Sequence, residues 1–420
     1  MVVEKNIPIG FQKTEIGEIP NDWSLRLTGQ VGTINGRVGW KGYTKADIRN
    51  TGPYAIGAKH IDNSNRLDLS NSTHISAEKY RESPEIMVYK DDILIVQRGS
   101  IGKVVIIDKE IGDATINPSM VLLRINEDSP IYIYYYLTSS LGQNQIKSDT
   151  SSTGVPMITQ KQVANFKIPL PPTKVEQAAI ATALNDADKL ITELEKLIAK
   201  KKLIKQGAMQ ELLRPKEGWV KKSIEELCVP NGLVRGPFGG ALKKEFFKDK
   251  GFKVYEQKNA IYRDENLGNY YIDENKFKEL QRFEVKESDF IVSCSGTIGK
   301  IFQIPNRFVK GVINQALLKL TIDKTKYSDN YFYHYFSWEK FQANIIDSTQ
   351  GGAMKNLIGM VEFRKTSIPL PAEKSEQIYI AEILCDMDSE IEALEKKLDK
   401  YKMIKQGMMQ NLLTGKIRLV

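Results

Sequence analysis

The chain has 420 residues, 41% hydrophobic and 27% charged, the balance of a soluble globular protein of two or three domains. No apolar run approaches the roughly 18–20 residues that a membrane-spanning helix needs. The three cysteines (Cys228, Cys294, Cys385) are too scattered for a disulfide scaffold or thiolate zinc site, and the three histidines (His60, His74, His334) match no metal-ligand motif. The net charge of +8 leans toward a polyanionic partner.

In chain order, residues 1–165 alternate short strand-like runs with turn signals and a few helices, and form a first module. Arg37, Lys41, Lys45 and Arg49 lie around Gly36, Gly39 and Gly42. Pliable backbone beside cations suits phosphate approach, and arginine can read guanine edges through two bonds at once. A solvated surface loop is the plainer alternative. Asp92-Ile93-Leu94-Ile95-Val96 reads as a strand leading into Gly99-Ser100-Ile101-Gly102-Lys103, with Val104 to Ile107 as the returning strand, so a hairpin with glycines at positive φ is expected. Tyr132, Tyr134, Tyr135 and Tyr136 follow on an expected helix. Core packing is the preferred account of them, with a base-stacking platform as the sharper alternative.

Residues 166–213 read as a helical spacer. Apolar residues at Ile180, Leu184, Ala187, Ile191, Leu194 and Ile198 step by four and three, a heptad seam. Thr173 to Glu176 has capping-box spacing after Pro171-Pro172. About 40 residues of helix span about 60 Å.

Residues 214–365 form a second module and 366–420 a second helical spacer. Arg235, Lys243 and Lys244 lie around Gly236, Gly239 and Gly240. Asp289-Phe290-Ile291-Val292 leads into Gly296-Thr297-Ile298-Gly299-Lys300, and Tyr331, Phe332, Tyr333 and Tyr335 are set against the tyrosines of the first module. The second seam is Ile380, Leu384, Met387, Ile391, Leu394 and Leu398, with Glu373 as a weaker helix start. Lys59, Arg98, Lys103, Lys258, Arg263, Lys300 and Lys355 complete the candidate DNA contacts.

The second half thus repeats the first. Ile168-Pro169-Leu170-Pro171 recurs as Ile368-Pro369-Leu370-Pro371, Glu176-Gln177 as Glu376-Gln377, and Lys205-Gln206-Gly207 as Lys405-Gln406-Gly407. At this fixed spacing 26 of the 46 positions in 168–213 match their partners, which chance does not produce. A single such helix cannot bury its seam, so the two are expected to pair within the chain, antiparallel, giving an α+β fold with a pseudo-two-fold relation between two similar modules. Leu190, Leu197 and Ile204 form a second apolar edge in the first helix, where the second copy has Glu390 and Lys397. That edge faces either a module or another subunit, or is simply solvent-exposed.

Catalytic motifs are weak. A P-loop would need glycine at 97 and Ser or Thr at 104, where the chain has Gln97 and Val104. Asn117-Pro118-Ser119-Met120 lacks the aromatic residue of the amino-methyltransferase motif, and no nuclease triad stands out from surface charge.

Two modules alternating with two Ile-Pro-Leu-Pro…Glu-Gln helices that end in Lys-Gln-Gly-x-Met-Gln-x-Leu-Leu resemble the specificity subunits of type I restriction–modification systems, over essentially the whole chain. The resemblance implies two target recognition domains, each reading one half of an asymmetric bipartite site in double-stranded DNA. It implies that the antiparallel helices set the spacing and dock two methyltransferase subunits, for which Leu190, Leu197, Ile204, Met209 and Met409 are candidates. Restriction (motor) subunits would join for cleavage. S-adenosylmethionine and ATP would bind those partners, leaving this chain without cofactor, metal, catalytic residue or membrane contact, in the cytoplasm.

Overall fold

The computed structural model describes residues 9–37, 42–148, 156–347, 356–357 and 359–420. It divides into two units, Met1–Glu195 with Lys396–Val420, and Lys196–Glu395. The division runs through both long helices, so each unit takes one half of each.

Unit 1 is built on β1 (Ser24–Leu27), β2 (Gly32–Gly36), β3 (Ile48–Ile56), β4 (Ile93–Val96), β5 (Val104–Ile106), β6 (Ala114–Ile116), β7 (Met120–Ile125) and β8 (Lys167–Leu170). Its central sheet is antiparallel, in the order β2-β7-β4-β5. All four residues of β4 are buried. Ile93 and Ile95 enter one core with Val121, Leu123 and the tyrosine helix, whereas Leu94 and Val96 enter another with Met120 and Leu122. A sheet covered on both faces needs an unbroken apolar run rather than alternation. The expected hairpin is β4–β5, with Gly99 at φ +86° and Gly102 at φ +95°.

Helix α1 (Pro130–Thr138), followed by α2 (Ser140–Ser148), starts on Ser129, whose hydroxyl accepts from Tyr132 N–H, with Pro130 pre-set for the first turn. The Tyr132 hydroxyl donates to Pro169 O at 2.7 Å, and Gln177 Oε1 accepts from Ser129 N–H at 3.0 Å. The repeated Pro-Leu-Pro and Glu-Gln signals are therefore the acceptor and clamp that seat α1 between β8, which pairs with β1, and the start of α3 (Lys174–Leu212).

Unit 2 rebuilds this plan with β9 (Val220–Ser223), β10 (Cys228–Arg235), β11 (Phe252–Tyr255), β12 (Phe290–Ser293), β13 (Ile301–Gln303), β14 (Gly311–Ile313), β15 (Leu317–Ile322) and β16 (Ser367–Leu370). The sheet order is β10-β15-β12-β13. Beside it lie α4 (Gln257–Tyr262) and α5 (Asp329–Ser337). Ser328 caps α5, Tyr331 donates to Pro369 O at 2.9 Å, and Gln377 Oε1 accepts from Ser328 N–H at 3.0 Å.

The caps Ser129 and Ser328 correct the aromatic alignment. Tyr132, Tyr134, Tyr135 and Tyr136 match Tyr331, Tyr333, His334 and Tyr335. Tyr132, Tyr135, Tyr136, Tyr331 and Tyr335 are buried, so these rings are core rather than a stacking platform.

Helix α6 (Lys374–Leu412) has 39 residues, the same length as α3. Thr173 Oγ1 accepts from Glu176 N–H in the first copy, whereas the second start rests on the backbone carbonyl of Glu373. In unit 1, Asp188 pairs with Lys405 at 2.6 Å and Glu195 with Lys402 at 3.0 Å. In unit 2, Lys201 pairs with Glu390 at 2.6 Å and Lys205 with Asp388 at 2.5 Å. Numbers rise on one helix as they fall on the other, so within each unit the segments run antiparallel. Ile180, Leu184, Ile191, Leu194, Ile198, Ile380, Leu384 and Ile391 are buried; Ala187, Met387, Leu394 and Leu398 are half-buried. The pairs at half-exposed positions contribute at most about 1 kcal/mol each and chiefly fix register.

Candidate nucleic-acid interface

Antiparallel pairing brings four chain segments to one end of each central sheet. In unit 1 these are Gly36 at the end of β2, Val96 at the end of β4, and Val104 and Met120 at the starts of β5 and β7. The parallel pair β3–β6 delivers the 58–60 turn beside the 117–119 loop, where Asn117 N–H donates to Ile56 O. Gln97 Nε2 donates to Pro118 O at 2.9 Å, the Ser119 hydroxyl to Asn117 Oδ1 at 2.6 Å, and Ala58 N–H to Ser119 Oγ at 3.3 Å. Asn117 and Ser119, which resembled a fragment of a methyltransferase motif, are thus spent on tying the loops together.

Unit 2 brings Arg235, Ser293, Ile301 and Leu317 to the same end. Asn314 N–H donates to Tyr255 O, Asn314 Oδ1 accepts from Ala316 N–H at 3.0 Å, and Cys294 N–H donates to Ala316 O. Ile116-Asn117 recurs in the sequence as Ile313-Asn314, and the brace explains that repeat. Gln315 is exposed in the middle of the second cluster; nothing in its local sequence marks it.

The candidate cations divide into two groups. Lys45, Lys59 and Arg98 in unit 1, and Lys243, Lys244, Arg263 and Lys300 in unit 2, are exposed. Among the described residues Lys243 has a long pair to Glu245 at 3.7 Å, and the Arg263 guanidinium lies over the Tyr333 ring at 5.6 Å. Arg235 is half-buried against the Cys294 thiol. Lys258 is half-buried and pairs with Glu256 at 2.8 Å. Arg49 is exposed, yet its guanidinium donates to Ala46 O and Ile48 O.

Two expectations of phosphate contact are corrected. Arg37 is only 4% exposed and donates to Ile116 O and Thr115 Oγ1, both at 2.9 Å; burial holds its pKa below the usual arginine value. Lys103 is half-buried and donates to Ile61 O at 2.8 Å. Both cations face inward because the loops need donors for carbonyls that no strand satisfies. Lys41 and Lys355 lie outside the described residues.

The helix edge is also divided. Leu190, Leu197 and Ile204 are exposed by 37%, 38% and 46%. Met209 and Met409 are half-buried, each packing against the core of its own unit. Sequence reading missed Leu203 (67%), Met403 (66%) and Ile404 (43%). These flank Gly207 and Gly407, around which a Cβ would meet nothing within 4 Å. Among the described residues no group of three metal-ligating side chains occurs, and no helix is long and apolar enough to cross a membrane.

The family model for the type I restriction modification DNA specificity domain matches residues 20–206 and again 216–402. The chain belongs to this family. It carries two specificity domains, and it is a DNA-recognition subunit of a type I restriction–modification system. Among curated relatives, the putative type I restriction enzyme MjaX specificity subunit of Methanocaldococcus jannaschii is 26% identical over 97% of both chains. The MjaVIII specificity subunit of the same organism is 27% identical over 80% of this chain and 81% of its own. The crystal structure of the S subunit from M. genitalium shares the fold, with a TM-score of 0.59 at 16% identity over 93% of this chain and 96% of that one. A chain from a study of complex assembly and conformational transition of the type I R-M system gives 0.58 at 14% identity, over 95% and 99%.

Proposed function

We propose that the loop cluster at the end of each central sheet reads one half of an asymmetric bipartite DNA site. The observation that carries this reading is that the same braced cluster is built twice while its exposed side chains differ. Exposed lysines and arginines neutralise phosphates and release counterions, which makes affinity salt-sensitive and independent of sequence. A few polar side chains at base edges then discriminate, each good two-bond contact by about 1–3 kcal/mol. Lys45, Lys59 and Arg98 would serve one half-site; Lys243, Lys244, Arg263 and Lys300 the other.

The exposed edge Leu190, Leu197 and Ile204, with Leu203, Met403 and Ile404, would dock two methyltransferase subunits, and the helix pair would set the spacing of the half-sites. Restriction (motor) subunits would complete the complex in the cytoplasm. This chain performs no bond chemistry in that scheme: S-adenosylmethionine and ATP belong to the partners, and any base flipping for methyl transfer is the methyltransferase's task.

Exchange of residues 214–365 for the module of another family member, followed by mapping of methylated sites in the genome, tests the reading. One half of the methylated motif is expected to change. A change in both halves overturns separate readout. Inserting one heptad into each helix is expected to lengthen the spacer, and an unchanged spacer overturns the helix-pair ruler.

A further inference from the structure

Phe238, at 79%, is the most exposed large apolar side chain described in unit 2. A single exposed apolar residue is ordinary, but this one is held out by ordered backbone. On its N-terminal side, Gly236 N–H donates to Leu317 O, and a Cβ at Gly236 would sit 1.8 Å from Asn314 O. The chain therefore leaves β10 pressed against the 314–316 loop, and Pro237 is buried. On its C-terminal side, Phe238 opens a 3-10 turn, Gly239–Leu242, whose Ala241 and Leu242 pack against the Val254–Phe277 core cluster. Phe238 itself is ordinary extended backbone, at φ −91° and ψ 157°. Both flanks are anchored and only the ring is unsheltered.

The surroundings are cationic. The Lys243 side chain folds back over Gly240, Lys244 is exposed, and Lys300 is exposed on the hairpin loop at the same end of the sheet. In sequence, the corresponding glycine-rich loop of the first module carries Trp40, which lies outside the described residues.

We infer that Phe238 inserts its ring into the base stack of the half-site that unit 2 reads, with Lys243, Lys244 and Lys300 holding the flanking phosphates. This rests on the DNA-reading role proposed above. An apolar wedge loosens a base step and kinks the duplex, a contribution separate from hydrogen-bonded readout and from counterion release.

The test uses the full chain, assembled with the modification subunits of its system. The probe is a duplex carrying the methylation-mapped target, with 2-aminopurine scanned through the unit 2 half. Wild type is expected to raise fluorescence at one step. Phe238→Ala is expected to abolish that rise and weaken binding about tenfold, within the range known for base–aromatic contacts, with the salt slope unchanged. Phe238→Trp is expected to retain both signals. Binding by Phe238→Ala within twofold of wild type, with the fluorescence rise intact, overturns the inference while leaving DNA reading in place. So does a loss traced by size-exclusion chromatography to failed subunit assembly. Absence of wild-type binding to the duplex overturns the DNA-reading role itself.

Discussion

Replacing Arg418 by alanine should strip unit 1 of a clasp at the C-terminal tail. Arg418 Nη1 and Nη2 each lie 3.0 Å from an Asp22 oxygen, Nη2 also donates to Glu176 Oε2 at 2.8 Å and Nε to Oε1, and the guanidinium sits 5.7 Å over the Trp23 ring. The two arms differ in weight. The Asp22 side chain is 53% exposed, so its pair is worth at most about 1 kcal/mol. The Glu176 side chain is 1% exposed, and removing the partner of a buried charge costs about 3–5 kcal/mol. Arg418 is itself 29% exposed, and water entering the vacated space offsets part of that, leaving a loss of about 3 kcal/mol. For a unit of this size the loss corresponds to a Tm decrease of about 6–12 °C. Scanning calorimetry of Arg418→Ala and of Arg418→Ala with Glu176→Gln tests the partition, because the neutral amide should recover part of the loss. A decrease below about 2 °C, or no recovery in the double variant, would show that Glu176 is not held as a buried carboxylate by this arginine.

Three further outcomes are expected. His334 is buried, and desolvation first, then the Lys205 ammonium, lower its pKa to about 4 despite Asp388 nearby. The depressed value means that its contribution to stability is full above the unfolded pKa of about 6.5 and lost as pH falls from there toward 4, by up to about 1.4 kcal/mol per pH unit. His334→Tyr, which copies Tyr135, should flatten the Tm profile between pH 7 and 5; an unchanged profile refutes this. Leu184→Ala, at a fully buried seam position in the unit 1 core, should cost about 2–5 kcal/mol by urea denaturation. Gly207→Ala has open space in mid-helix and should stabilise the free chain by about 1 kcal/mol while weakening capture of the modification subunits, measured by calorimetric titration.

The periodic and repeated parts of the molecule were legible because they answer to local rules. The heptad seam, the hairpin glycines and the Pro-Leu-Pro and Glu-Gln repeats each report a geometry that few residue types satisfy. Tyr132 and Gln177 gave the reason for two of those repeats only once their acceptors, Pro169 O and Ser129 N–H, were in view. Charge was less legible. Arg37 and Lys45 look alike in a glycine-rich stretch, yet one is folded inward onto Ile116 O and the other is exposed, because what separates them is whether a carbonyl nearby lacks a donor. Phe238 carried no signal in sequence, since exposure of an aromatic ring is decided by how its flanks are anchored.

The same logic explains where the two copies diverge. Asp188 and Asp388 each hold a lysine of the antiparallel helix, Lys405 or Lys205. In unit 1 the carboxylate also accepts from the Tyr135 hydroxyl at 2.9 Å, and burial beside that carboxylate raises the phenol's pKa. In unit 2 the equivalent residue is His334, whose Nε2 lies 3.3 Å from the Cys385 sulfur and whose Nδ1 lies 3.9 Å from Asp388 Oδ2, with no hydrogen-bond partner among the described residues. The helix–helix ion pair is kept and the module's grip on it is changed. A duplicated frame tolerates that exchange because the lysine already pairs with the half-buried carboxylate, so the module side can vary without leaving that carboxylate unpartnered. His334→Tyr therefore bears on more than pH: recovery of the Tyr–Asp contact without loss of the Lys205–Asp388 pair would show that joint and module vary independently.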